Sequence, residues 1–272
     1  MRLSGSSAPG GERYRVYLTT HKGHVRDGNE DNFTVNSACK RVEYNNVSFS
    51  SDYDAPLLTA VFDGMGGESY GEYAAFIAAR AAKALYEGVK SFPEKPVDEM
   101  INNFTAAAND EIRDFLEQNR CQSGGCTVAG AVFKNEIVYP FSLGDSRVYL
   151  WRGARLVQLS RDHTLAQKKL EAGIFTAEEA AKSNDSHKLT MFLGVDGFRQ
   201  GLEAEIYEPV VMRGSDRLLL CSDGLYDECP HKTMERIIKN NPDDPALALV
   251  KAAAAHGGGD NITCLAVERT IS

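Results

Sequence analysis

Acidic residues stand where apolar runs stop. The run through Leu57, Leu58, Ala60, Val61 and Phe62 ends at Asp63 and continues as Gly64-Met65-Gly66-Gly67. "LLLCSDGLYD" repeats the device, with Asp223, Gly224 and then Asp227 four residues on. "FSLGDSR" sets Asp145 in a turn after a strand-like run, and "GGGDNIT" sets Asp260 just before one. "RDGNED" places Arg26, Glu30 and Asp31 ahead of Phe33 and Val35. Asp-Gly is a common turn dipeptide, and solvated turn acids are cheap in a chain with 38 acidic residues. The alternative is convergence on hard cations. Oxygen donors without His or Cys suit magnesium or manganese, not zinc. Glu30, Asp63, Asp223 and Asp260 bring four negative charges, which two divalent ions would neutralise. Without ions, the same cluster would raise its own pKa values. Spacing alone leaves both readings open.

The elements that must position these acids can be read from periodicity. Helical patterns cover 72–89, 97–119 and 245–255, the last opening on Pro245 and stopping at Gly257-Gly258-Gly259. Residues 126–159 read as a meander of four strands, and 203–211, 217–222 and 261–268 add more. Strand follows strand, so the expected class is α+β: an antiparallel β-sandwich of two sheets flanked by helices. Residues 163–190 interrupt the β pattern. They are polar, carry a capping box at Thr176 and Glu179, and are expected to project loosely from the core. Residues 1–12 are expected to form a disordered tail and 13–272 one domain.

Composition excludes other classes. A net charge of −8 with dispersed acids disfavours nucleic acid as a partner. No apolar run approaches the roughly 20 residues of a membrane span, and no signal peptide is evident. The six cysteines form no C-x-x-C pair, and several sit in apolar runs, as reduced buried thiols do. A cytoplasmic protein is expected.

Eight segments, in this order, resemble the metal-dependent protein phosphatases (PPM, or type 2C): "RDGNEDNF", "VFDGMGGESYGEYAA", "GCTVAGAV", "LGDSRVYLWR", "LSRDHT", "LTMFLG", "LLLCSDGLYD" and "GGDNITCLAVE". They run from about residue 20 to 268. The short "DGMGG" form and the Gly173–Gly194 insertion resemble the bacterial branch. The resemblance implies a sandwich with two Mn2+ or Mg2+ ions in a cleft at one edge. Asp63 would bridge the ions, Asp223 and Asp260 would complete one site, and Glu30 and the Gly64 carbonyl would belong to the other. Asp145 and Asp227 match a weaker third site, shared with Asp223. Arg26 matches the arginine that grips the substrate phosphate, and Asp31 one that holds a metal-bound water. The implied chemistry is direct hydrolysis of phosphoserine and phosphothreonine by water activated between the ions. The implied partners are phosphorylated proteins of a cognate Ser/Thr kinase, acted on by a monomer, and 163–190 would be a flap beside the cleft.

Two departures stand out. Met65 replaces the histidine that protonates the leaving oxygen in eukaryotic members, which leaves a metal-bound water or His163 as the acid. "LTMFLG" lacks the arginine that many relatives carry before Leu-Gly. Rival readings are a phosphatase specialised for one regulatory partner and a catalytically dead binding protein. Arg26 counts against the first, and the complete acid set against the second.

Overall fold

The computed structural model describes residues 12–66, 70–121, 123–195 and 202–270. Strands β1 (Arg13–His21), β2 (Asn32–Val35), β3 (Ala38–Cys39), β4 (Val47–Asp54), β5 (Leu57–Phe62) and β6 (Gly64–Met65) come first. Helices α1 (Tyr70–Ser91) and α2 (Val97–Gln118) follow, then β7 (Gly125–Cys126), β8 (Val128–Lys134), β9 (Ile137–Leu143), β10 (Arg147–Arg152) and β11 (Arg155–Gln158). Short helices α3 (Leu165–Glu171) and α4 (Ala177–Lys182) and a 3₁₀ turn (Asn184–His187) come next. The chain continues with β12 (Glu205–Ile206), β13 (Val210–Val211) and β14 (Arg217–Cys221). It closes with α5 (Asp223–Glu228), α6 (His231–Asn240), α7 (Pro245–His256) and β15 (Ile262–Thr270).

Two antiparallel sheets form the centre. One runs β11-β10-β14-β15-β1-β4, the other β12-β9-β8-β5-β2-β3 with β13 also on β9. The central strands β5, β8 and β14 read as near-continuous apolar runs because both faces are covered, whereas the edge strand β4 is polar and partly exposed. Leu57 and Val61 of β5 face the opposite sheet, while Leu58, Ala60 and Phe62 face α1 and α2. In β14, Leu218 and Leu220 turn inward, and Leu219 and Cys221 meet the layer of α5, α6 and α7. The architecture is therefore helix, sheet, sheet, helix.

Antiparallel pairing places the acids. Phe62 pairs with Asn32, so the end of β5 meets the start of β2. Cys221 pairs with both Arg147 and Cys264, and His21 with Ile262. The residues after β1, β5, β9 and β14 and those before β2, β10 and β15 all gather at one end of the sandwich.

Four expectations need correction. The meander is not one sheet: β8 and β9 belong to one and β10 and β11 to the other, with the chain crossing at Gly144–Ser146. Stretch 203–211 is two short strands, not one. The flap is more ordered than its polarity suggested. Thr164 caps α3, the Thr176–Glu179 capping box forms as read, and Asp185 is buried under Lys169 and Lys188. Polar contacts stand in for the missing apolar ones. Glu12 is not part of a loose tail: its carboxylate pairs with Arg269 and its carbonyl accepts the Ala55 N–H. The rest of that expected tail lies outside the described residues.

Candidate metal centre

A cleft of about 550 Å³ opens at this end of the sandwich. Its walls include Arg26, Glu30, Asp63, Gly64, Asp145, Asp223 and Asp260, contributed by both sheets. Asp227 lies one helical turn beyond Asp223 on α5, and Asp31 is buried beneath. Arg26, Gly64 and the seven acids singled out from the sequence are thus in or beside one site, whereas His163 is not.

Asp63 is fixed through its backbone. Its N–H donates to Thr127 Oγ1 at 3.1 Å, and its carbonyl accepts the Thr127 N–H at 2.9 Å. Thr127 Oγ1 in turn meets Ser146 Oγ at 2.6 Å, which ties β5 to the crossing between the sheets. Gly64 is required by close approach. A Cβ there would fall 2.3 Å from the Gly71 carbonyl oxygen and 2.6 Å from that of Glu30. Backbone therefore packs on backbone where β6 meets α1.

Asn261 knots the opposite wall. Its Oδ1 accepts the Glu30 N–H at 2.7 Å, and its Nδ2 donates to the carbonyls of Lys22 and Gly28. The loop bearing Arg26 and Glu30 is thereby bound to the loop bearing Asp260. Arg26 itself donates to Asp260 Oδ2 at 2.7 Å from a half-exposed position on the lip. "GGDNIT" displayed Asn261 beside Asp260, but an amide offers no charge to single out.

Asp31 is 1% exposed. Its Oδ2 accepts from Ser222 Oγ at 2.7 Å and Thr263 Oγ1 at 2.6 Å, while its Oδ1 has no partner among the described residues. Burial foremost, then Asp223 and Asp260, pushes its pKa up to about 7, against the two hydroxyl hydrogen bonds. Asp63 is held well above the carboxylate range by burial and by Asp223, Asp31, Asp145 and Asp260. Asp223 is raised by burial and Asp260, partly offset by a hydrogen bond with Asp63. Burial and Asp223 push Asp145 to about 8 and Asp227 to about 6. Carboxylates that raise one another's pKa around an orphaned buried oxygen suit a site built for cations. The donor set fits hard divalent ions.

His187 was missed. One ligating atom from each of His187, Asp223 and Asp227 lie within 4.8 Å of one another, and no other such trio is found among the described residues. A lone histidine in a polar segment carries no sequence signal for this. His163, the alternative acid, points elsewhere. Its Nδ1 accepts the Gly144 N–H at 3.0 Å, so its Nε2 carries the proton and donates to Glu205 at 2.8 Å. It braces the flap base, away from the cleft wall. Met65 does line the cleft, and beside it Phe192 and Leu189 form an apolar wall. All six cysteines are free, none of them lines the cleft, and burial pushes Cys221 to about 12, which leaves that thiol protonated and unreactive.

With this geometry the chain can be set beside known proteins. The profile of the protein phosphatase 2C family matches residues 23–172, more than half of the sequence, and the chain belongs to that family. The serine/threonine phosphatase stp of Listeria monocytogenes is 32% identical over 257 residues, covering 93% of this chain and 95% of that protein. The crystal structure of serine/threonine phosphatase PstP/Ppp from Mycobacterium tuberculosis superposes with a TM-score of 0.77. It is 26% identical, with 94% of this chain and 98% of that one covered. The catalytic domain of PstP in complex with 2 manganese ions superposes with a TM-score of 0.76 at 26% identity, covering 96% of this chain and 100% of that one.

Proposed function

We propose that this chain is a metal-dependent serine/threonine protein phosphatase that hydrolyses phosphoserine and phosphothreonine in proteins, using Mn2+ or Mg2+. One observation carries the reading: acids from both sheets share a single cleft over the unpartnered Asp31 oxygen, in a chain of this family. Asp63 would serve both core ions, with Asp223 and Asp260 on one and Glu30 and the Gly64 carbonyl on the other. Asp145 and Asp227 would join Asp223 around a third. Bound there, divalent ions neutralise the carboxylates, acidify water and draw charge from phosphoryl oxygens.

The rest is the work of the chain's own groups. Arg26 presents its guanidinium fork at the lip, where a phosphate would give it a second anion beside Asp260. Asp31 supplies an acceptor to whatever water stands over its free oxygen. Leu189 and Phe192 keep one wall dry, which strengthens every charge interaction in the cleft. Met65 cannot give up a proton, so the leaving oxygen is not protonated from that position.

Residues 13–272 read as one catalytic domain, supported by β1 near one end of the chain pairing with β15 near the other. No helix among the described residues is long and apolar enough to cross a membrane. Free cysteines support a cytoplasmic location, and the chain is read as a monomer acting on proteins phosphorylated by a cognate kinase. Arg26 on the lip and the full acid set favour catalysis over both a partner-restricted enzyme and an inactive binder. Turnover of a phosphothreonine peptide should require added Mn2+ or Mg2+ and vanish with EDTA. Full activity in metal-stripped protein would overturn the reading.

A further inference from the structure

We propose that His187 of the flap joins Asp145, Asp223 and Asp227 as a ligand of the third cation site, so that filling this site tethers the flap to α5. The inference rests on the metal-dependent reading above. It adds a residue that neither the sequence motifs nor the acid cluster supplies.

Placement comes first. Asp223 and Asp227 are four apart on α5 and present their carboxylates on one face. His187 approaches that face from a different part of the chain, and the three ligating atoms lie within 4.8 Å of one another. An ion with bonds of about 2.1 Å separates opposite ligands by about 4.2 Å, so little convergence is needed.

The histidine is held ready although it is exposed. It ends the 3₁₀ turn Asn184–His187, whose Asp185 is buried and accepts from both Lys169 and Lys188. Ser183 Oγ accepts the Asp185 N–H at 3.1 Å, and the Lys188 carbonyl accepts the Leu165 N–H at 2.9 Å. This fixes the turn against α3. Both ring nitrogens of His163 are taken, yet those of His187 enter no hydrogen bond among the described residues. A free imidazole facing two carboxylates is a donor set in search of a cation.

The chemistry names the ion class. An imidazole nitrogen among carboxylates suits Mn2+ or a later first-row ion better than Mg2+, which prefers oxygen and dehydrates reluctantly. The all-oxygen core sites carry no such bias. The third site would therefore distinguish manganese from magnesium, and manganese would tether the flap more tightly.

Calorimetric titration of the full chain and its His187→Ala variant with Mn2+, and separately with Mg2+, tests this. The expected result is a weakest Mn2+ site loosened about tenfold or more in the variant, with the tighter sites unmoved and Mg2+ binding changed less than about threefold. Hydrogen exchange gives a second readout. Amides of 177–188 should slow as Mn2+ fills the weakest site in the parent, and should not respond in the variant. An unchanged weakest Mn2+ site, or equal loosening of every site, overturns the proposal. Loss of the two tighter sites from the parent itself would instead overturn the dinuclear reading.

Discussion

Asp31→Asn should make the metal-free protein more stable at alkaline pH while crippling the enzyme. The Asp31 carboxyl is 1% exposed, and its pKa rises from 3.8 to about 7, chiefly through burial. Its folded value lies above its unfolded one, so the folded state holds the proton more tightly. Stability is therefore complete below about pH 4 and declines as pH climbs towards 7. At about 1.4 kcal/mol per pH unit, ionised Asp31 costs the metal-free fold roughly 4 kcal/mol at pH 8. Asparagine removes the charge and keeps the shape. It must share Ser222 and Thr263 through an amide, which returns about 1 kcal/mol. Urea denaturation of EDTA-treated protein at pH 8 should show the variant about 2–4 kcal/mol more stable, with the gap closing or reversing at pH 5. With Mn2+ the order should invert: the parent gains stability, and the variant gains less and turns over slowly. A pH-independent offset between the two metal-free proteins would refute the argument, because charge would not then be what Asp31 contributes.

Arg26→Ala should raise KM for a phosphopeptide by roughly 10- to 100-fold, about 1.5–3 kcal/mol, with calorimetric Mn2+ affinity nearly unchanged. Lost metal binding would mean that Arg26 serves Asp260 rather than substrate. Gly64→Ala should cost about 2–4 kcal/mol and weaken metal binding, since the new Cβ meets backbone oxygens of Gly71 and Glu30 that cannot swing aside. Parent-like melting and metal affinity would refute the close-packing account. Replacing Thr176–Lys182 by a Gly/Ser linker should leave para-nitrophenyl phosphate turnover within a few fold, because α4 lines no part of the cleft. Activity on phosphoproteins should change far more, and equal loss of both with metals still bound would refute this division.

The sequence displayed the cleft because its acids interrupt apolar strands, where burial periodicity and charge collide in view. The long helices were equally plain: their apolar stripes match 70–91, 97–118 and 245–256 to within a residue or two. What stayed hidden was decided across space. The crossing at Gly144–Ser146 reads like any hairpin turn, and only packing assigns β9 and β10 to different sheets. β1 and β4 are rich in Tyr, Thr and Ser and raise little hydrophobic signal, yet each pairs along nearly its full length. Asn261 and Thr127 act through hydrogen bonds to backbone, which no spacing rule reports. The order of the flap likewise comes from Asp185 and its two lysines, a polar anchor within a segment that composition marks as loose.

The cleft straddles a seam. Asp63 hangs from one sheet, Asp223 and Asp260 from the other, and the inward side chains of β5, β14 and β15 are the adhesive between them. A cation gripping both rims is thus a rivet, and its affinity gauges how well two slabs of protein are registered. Trimming Leu220 or Val61 to alanine, both fully buried on the inner faces, would let the slabs shift by fractions of an ångström. Each of these side chains lies within the sandwich and touches no metal, yet ion-binding isotherms should register its loss. Conversely, manganese should raise the melting temperature of such a loosened protein, since the energy that seats the ion also presses the sheets together.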